Sequence, residues 1–395
     1  MKTSFLRPLV LLGLTLLSGA AAPADLLQIY REALVNDAQY AAARATAEAG
    51  REKLPQGLAG LLPTIGASAS STWNDNRYHS DNQASWSKDY NLHSYNVSLT
   101  QPLFRWQNVV EYDQAKWQVA QAEFVFAQAA QDLILRVARA YFDALYADEN
   151  LAAVRSSKQA IAQQLAQAKK NFEVGIATIT DTHEAQSRYD LANAQELEGE
   201  NELEVKRYAL RVIVGRDVGA LSRLRADAQL LPPRPASMAP WVEAAESGSY
   251  LVQSREAAYE VAQREVERAR AGHYPTLDAV ANYGRSGSVS STSGIATQTD
   301  SRNIGVQLTI PIFEGGAVKS RTREAIANRS AAQSLLENAR REATQLARQS
   351  YLGVVNGLAR IQALEAALVS SAGALESTRL GYEIGVRINI DVLNA

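Results

Sequence analysis

The sequence contains no cysteine. That absence excludes disulfide staples, thiolate chemistry, most zinc centres and lipid attachment at an N-terminal cysteine. Histidine is scarce as well. The four, at 79, 93, 183 and 273, share no metal-ligand spacing, and His183-Glu184 lacks the second histidine of a zincin pair. No glycine-rich phosphate loop follows a strand pattern; Gly315-Gly316 sits at a strand-to-helix joint. No cofactor, metal or catalytic group is therefore expected, and the chain does not read as an enzyme. An excess of one charge is also lacking: the net charge of −2 over 395 residues gives no reason to expect nucleic acid as a partner. After the N-terminus no apolar run approaches the ~20 residues that a membrane-spanning helix needs.

What is present begins with an export signal at residues 1–24. Lys2 and Arg7 supply its positive end and Leu9 to Leu17 its short apolar core. Ala22-Pro23-Ala24 offers a small-residue cleavage site, so Asp25 is expected to begin the mature chain. An exported chain without a spanning helix can sit within a membrane only as a barrel.

From Asp25 to about Leu61 the pattern is helical, with Leu26, Ile29, Ala33, Tyr40 and Ala47 as candidate core, and Pro63 stops it. The period then changes to two. Strands are expected over about 64–73 and 94–104, with a polar, aromatic-bearing loop over 74–93 between them. A helical pattern from Asn108 to Phe172 follows, which at 1.5 Å per residue is ~97 Å long and implies a coiled coil. Its heptad is visible in Leu151, Val154, Lys158, Ile161, Leu165, Ala168 and Phe172. A broad stripe of Leu133, Val137, Ala140, Tyr141 and Ala144 suits a wall of helices with neighbours on both sides. After a break at Gly175, helix resumes from Asp181 to Val214, with Leu191, Ala194, Val205, Tyr208 and Val212 in the same rhythm. Residues 216–240, with Pro232, Pro233, Pro235 and Pro240, read as a linker or small irregular subdomain.

Then the chain starts again. Trp241 to Gly272 is helical in pattern, strands are expected over about 276–284 and 303–313, and a long helix over about 316–382. Phe172-Glu-Val-Gly-Ile-Ala-Thr-Ile-Thr-Asp181 is matched by Tyr382-Glu-Ile-Gly-Val-Arg-Ile-Asn-Ile-Asp391, an offset of 210 (382 minus 172). Pro63-Thr64 is matched by Pro275-Thr276, and the heptad returns as Ile361, Leu364, Leu368, Ser371, Leu375, Thr378 and Tyr382. The chain is thus a two-fold repeat, 25–215 and 241–395, each half making helix, strand, strand, long helix and hairpin tip. The first half has a long helix after Asp181, whereas the second has only Val392 to Ala395 after Asp391; the repeat predicts a further helix beyond Ala395.

Four strands of about ten residues suit a bilayer but cannot close, because membrane barrels begin at ~8 strands. Three copies would supply twelve. Serine and threonine on one strand face fit a polar lumen and equally the edge of a soluble sandwich. The export signal and the strand-end aromatics Trp73, Tyr78, Trp86, Tyr90 and Trp106 favour the barrel.

With these elements in place, the chain resembles the TolC family of trimeric outer-membrane ducts over nearly all of residues 25–395. The resemblance rests on the repeat, the Pro-Thr strand starts, Gln101-Pro-Leu-Phe104 and Ile310-Pro-Ile-Phe313 at strand ends, and the paired glycine motifs. It implies a mainly α fold with a membrane β-barrel portion: a homotrimer whose twelve-stranded barrel in outer-membrane lipid continues as a long periplasmic α-helical barrel. It implies an outer-membrane exit duct for efflux or type I secretion. The partners implied are a periplasmic adaptor protein and an inner-membrane transporter of the ABC or RND type. It assigns gate contacts to Thr180, Asp181, Tyr382 and Arg387, with Tyr382 holding Asp181 within the chain and Arg387 reaching a neighbour at Thr180-Asp181. A constriction ring falls on Asp391, with a second ring position on Asn394, where the family's acid is missing. Adaptor docking falls on Val174, Gly175, Ile384 and Gly385. Two plainer roles compete: helix termination for the glycines and helix capping for Asp181. The missing N-terminal cysteine leans toward a secretion-type duct. The alternative from another class is a secreted coiled-coil adhesin or scaffold without a channel.

Overall fold

The computed structural model describes residues 23–80, 83–225, 228–289 and 295–395. Residues 1–22 of the expected export signal lie outside them. The elements are α1 (Leu26–Asn36), α2 (Ala38–Arg51), α3 (Lys53–Ala59), β1 (Thr64–Ser80), β2 (Gln83–Phe104), α4 (Trp106–Glu173), α5 (Ile179–Val214), α6 (Ala239–Gly248), α7 (Tyr250–Arg270), β3 (Thr276–Val289), β4 (Ala296–Thr309), α8 (Ala317–Glu383) and α9 (Asn389–Asn394). Two units form. One comprises residues up to Ala41, Gln131–Leu231 and Leu358–Ala395; the other comprises Ala42–Ala130 and Pro232–Gly357.

The second unit holds an antiparallel sheet in the order β1-β2-β3-β4. Here the expected loop over 74–93 is corrected, as is the gap left between the strands ending near 284 and beginning near 303, because most of their described residues are strand. β1 and β2 stay paired from Thr64↔Thr100 out to Ser80↔Gln83. These arms are polar on both faces, so they carry no alternating hydrophobic signal. Side-chain pairs hold them instead: Tyr78 stacks on Trp86 with ring centroids 4.2 Å apart, and the Asn76 amide donates to the Tyr90 hydroxyl at 2.7 Å. β4 ends at Thr309, short of the expected 313, since Pro311 has no N–H to give the ladder. At the foot of the sheet Arg105 donates to both carboxylate oxygens of the buried Asp278 at 2.7 Å, tying the chain entering α4 to β3. Farther along, Val252 at the start of α7 packs with Leu336, Ala339 and Ala343 of α8 in a small core.

In the first unit Ile29, Ala33, Leu133, Val137, Tyr141, Leu210 and Val214 make the main core. The expected single helix from Asp25 is broken at Asp37. That buried carboxylate accepts the Tyr40 N–H at 2.6 Å to start α2 and takes a two-pronged contact from Arg136 at 2.8 and 2.9 Å. Residues 216–225 of the expected linker pack on this core: Ser222 accepts at its carbonyl from the Tyr141 hydroxyl at 2.7 Å.

The expected α4 heptad is the face turned to α5. Leu151, Leu165 and Ala168 are buried, and Lys158 in the stripe is satisfied at 2.7 Å by both Asn193 and Glu196 of α5. Lys158 and Arg155 together hold the Glu196 carboxyl below its ordinary range. The apolar rhythm read in α5 faces elsewhere: Leu191, Val205, Tyr208 and Val212 are exposed. The side toward α4 is Ala185, Ala192, Gly199, Leu203 and Leu210. Small residues win that face because they let the helices close up; a Cβ on Gly199 would meet the Leu151 side chain at 3.2 Å. In α8 the repeated stripe Ile361, Leu364, Leu368 and Leu375 is exposed among the described residues. α8 also holds a window of 18 residues with mean hydropathy 1.3, none of it buried, so one later helix does reach the apolarity the sequence reading withheld from all of them. Length and composition alone pass it.

Candidate functional site

The sheet presents two chemically distinct faces, fixed by its register. One carries Ile65, Leu99, Ala281 and Ile304 in one cross-strand row and Ala67, Val97, Tyr283 and Arg302 in the next. The other carries Gly66, Ser98, Asn282 and Asn303. An apolar face beside a hydroxyl- and amide-rich face is what a barrel strand needs between lipid and a watery lumen. Ile304 is 92% exposed, and so have Ile65 and Val306 no apolar cover from this chain. β1 and β4 each lack a partner on one side among the described residues.

The hairpin tips are built identically in the two repeats. α4 ends where Gly175 takes φ +79°, a left-handed conformation that costs a side chain about 1 kcal/mol or more. The Gly175 N–H bonds Phe172 O at 3.0 Å and the Ile176 N–H bonds Asn171 O at 2.9 Å. At the second tip Gly385 has φ +81°, with Gly385 N–H to Tyr382 O at 3.1 Å and Val386 N–H to Gly381 O at 2.8 Å. Every bond is displaced by 210 residues. A Cβ at either glycine would meet nothing within 4 Å, so the backbone angle alone demands glycine there. Val174, Ile176, Ile384 and Val386 flank the turns, each about 70% exposed or more.

After each turn an aspartate caps the next helix. Asp181 accepts the Thr178 N–H at 2.9 Å and the Thr178 hydroxyl at 2.8 Å, and the Thr178 oxygen accepts the Asp181 N–H at 3.3 Å. Asp391 accepts the Ile388 N–H at 3.3 Å, a half-box because isoleucine offers no side-chain acceptor. Asp181 and Asp391 thus hold the same repeat position.

The capping corrects one implied contact. Asp181 takes its hydrogen bonds from Thr178 and none from Tyr382. The Tyr382 hydroxyl accepts instead from the Asn171 amide at 3.3 Å, linking the end of α8 to the end of α4. Thr180 is exposed in the first turn of α5. Arg387 lies over Gly381, where a Cβ would come within 2.8 Å of its Cγ, and its guanidinium reaches Asp391 at 3.8 Å. The residue expected at the gate and the residue expected in the ring therefore contact each other. Asn394 accepts from the Arg188 guanidinium of α5 at 2.6 Å. α9 is seated by Leu393, which packs on Leu165, Ala168 and Ala185. The sequence reading missed Asn171 and Arg188. Each meets its partner more than 200 residues away, and no local rule connects them.

The family model described as outer membrane efflux protein matches residues 29–216 and 241–395, both repeats. The chain belongs to this family. It is 33% identical over 381 residues to outer membrane protein TolC of Vibrio cholerae, across 96% of this chain and 85% of that protein. It is 33% identical over 388 residues to the alkaline protease secretion protein AprF of Pseudomonas aeruginosa, across 97% and 80%. Among solved structures, a membrane protein from Pseudomonas aeruginosa aligns with TM-score 0.78 at 23% identity, covering 93% of this chain and 86% of that one. The outer membrane protein VceC of Vibrio cholerae aligns with TM-score 0.76 at 19% identity, covering 93% and 88%. As an outer membrane efflux protein, the chain is an outer-membrane exit duct of the TolC fold that extends into the periplasm. The family is a channel family and not an enzyme class.

Proposed function

We propose that three copies of this chain close a twelve-stranded barrel and form the gated duct of a tripartite, secretion-type export system. The observation that carries this is the sheet: four strands with an apolar band on one face that ends at Arg302 and the Arg285–Asp300 pair, a polar opposite face and two unpaired edges. Open edges are not tolerated in hydrocarbon, and four strands fall short of the ~8 that close the smallest barrel. Three copies remove every edge. The exposed apolar residues of α5 and α8 then become contacts between neighbouring helices of a shared wall. The secretion-type reading is supported by two relatives that are protease secretion proteins, AprF and the PrtF of Dickeya chrysanthemi, which is 31% identical over 391 residues.

In this reading the tips are the moving parts. Thr180, Asp181, Tyr382 and Arg387 hold the periplasmic end closed, and Asp391 with Asn394 lines its constriction. Val174, Gly175, Ile384 and Gly385 receive a periplasmic adaptor, which their exposed apolar surroundings and side-chain-free turns would suit. An inner-membrane transporter of the ABC or RND type completes the assembly. Light scattering of the full-length protein in detergent, followed by planar-bilayer recording of the same sample, tests it. Three protein masses and discrete conductance steps are expected; a stable non-conducting monomer would refute it.

A further inference from the structure

The ring position at Asn394 is where an acid is missing, and the structure puts a cation there. The Arg188 guanidinium donates to Asn394 Oδ1 at 2.6 Å, and among the described residues it has no carboxylate partner. Glu184, one turn earlier on α5, makes no ion pair with it. Asp391 and Asn394 are one turn apart on α9, so the bases of the two side chains lie ~5–6 Å apart, and Arg188 is held on the second of them. That spacing is inside the ~8 Å Debye length at physiological salt, so the two charges act on the same passing ion. Arg387, also cationic, reaches Asp391 from the other direction at 3.8 Å.

We propose that Arg188 sets the charge selectivity of the constriction: together with Arg387 it outweighs the Asp391 ring, so that this end of the duct carries no net negative charge and admits anionic, acidic cargo. The proposal rests on the reading of Asp391 and Asn394 as pore-lining. Two acids per chain would favour a cation-selective aperture; one acid flanked by Arg188 and Arg387 does not. Arg188 is held in place for the role. α9 is anchored beneath it by Leu393 on Leu165, Ala168 and Ala185, and the buried Ala185 sits one turn back on α5.

The test is the reversal potential of the full-length duct in a planar bilayer across a KCl gradient, for the natural protein and for R188Q, R188K, N394D and D391N. Removing one positive charge per chain is expected to raise the cation-to-anion permeability ratio of R188Q several-fold, on the order of three to ten. N394D should move in the same direction. R188K keeps the charge and changes the hydrogen-bond geometry, so it should retain the natural ratio; a purely structural role for Arg188 would instead make R188K resemble R188Q. D391N should shift the ratio toward anions. If D391N shifts it and R188Q does not, the assignment of Arg188 is overturned while the ring stands. If neither moves it, both the ring and the role of Arg188 fall.

Discussion

If the tips gate the duct as proposed, the contact between Asn171 and Tyr382 is a latch whose strength can be worked out. It is a neutral hydrogen bond, 3.3 Å long, between half-buried groups at the ends of the two long helices α4 and α8. Such a bond contributes about 0.5–1 kcal/mol net. Tyr382→Phe removes the hydroxyl and keeps the ring, so packing should survive. In a three-fold duct whose tips move together, three lost bonds amount to about 1.5–3 kcal/mol, or roughly a ten- to hundred-and-fifty-fold shift from closed toward open. Open probability in single-channel recordings of the full-length protein reads this directly. Asn171→Ala should produce the same shift, and the double variant should add little, because one bond cannot be lost twice. An unchanged open probability in Tyr382→Phe, or fully additive effects in the double variant, would refute the latch.

Three further outcomes follow from single positions. Gly175→Val or Gly385→Val forces a β-branched residue to φ near +80° and should cost about 1–2 kcal/mol locally, leaving the trimer intact while cross-linking to the adaptor at the tips falls. Asp37→Asn breaks a pair whose carboxylate is 5% and whose arginine is 31% exposed, so about 2–3 kcal/mol of stability should be lost in thermal melts. The hydrogen bonds from Arg136 hold the Asp37 carboxyl below its ordinary 3.8, so its contribution is full above that pH and is lost as pH falls through the lowered value; the acid limb of the natural protein's melting curve should carry a drop that Asp37→Asn lacks. Ile304→Arg places a charge on the lipid face, at about 2–4 kcal/mol per chain, and should reduce heat-resistant assembly on gels, whereas Ser68→Arg on the opposite face should assemble normally; equal behaviour would reverse the face assignment.

The repeat was legible because backbone geometry dictated it. A glycine forced to positive φ, an aspartate capping the next helix and prolines at strand boundaries leave the same marks wherever the same turn is made, so the tips matched bond for bond at an offset of 210. The outer arms of β1 and β2 were not legible, since their order comes from cross-strand stacking of Tyr78 on Trp86 and not from alternating hydrophobicity. The α4-facing side of α5 was hidden for a related reason. Alanine and glycine bring helices together without looking apolar, and the larger Leu191 and Val205 drew attention to the outward face. At the tips, the contacts implied by the resemblance are not all the ones this chain makes. Asp181 caps its own helix, Tyr382 meets Asn171, and nothing in the sequence linked Arg188 to Asn394.

The absence of cysteine makes the central claim unusually easy to test. One cysteine introduced in β1 and one in β4, both on the polar face, can be scanned through register in the full-length protein and oxidised in the outer membrane. If three chains close one barrel, some registers will give a ladder of one, two and three chains that stops at three, and a single covalent ring at completion. Monomers alone at every register, or a ladder that runs on past three, would contradict the shared barrel.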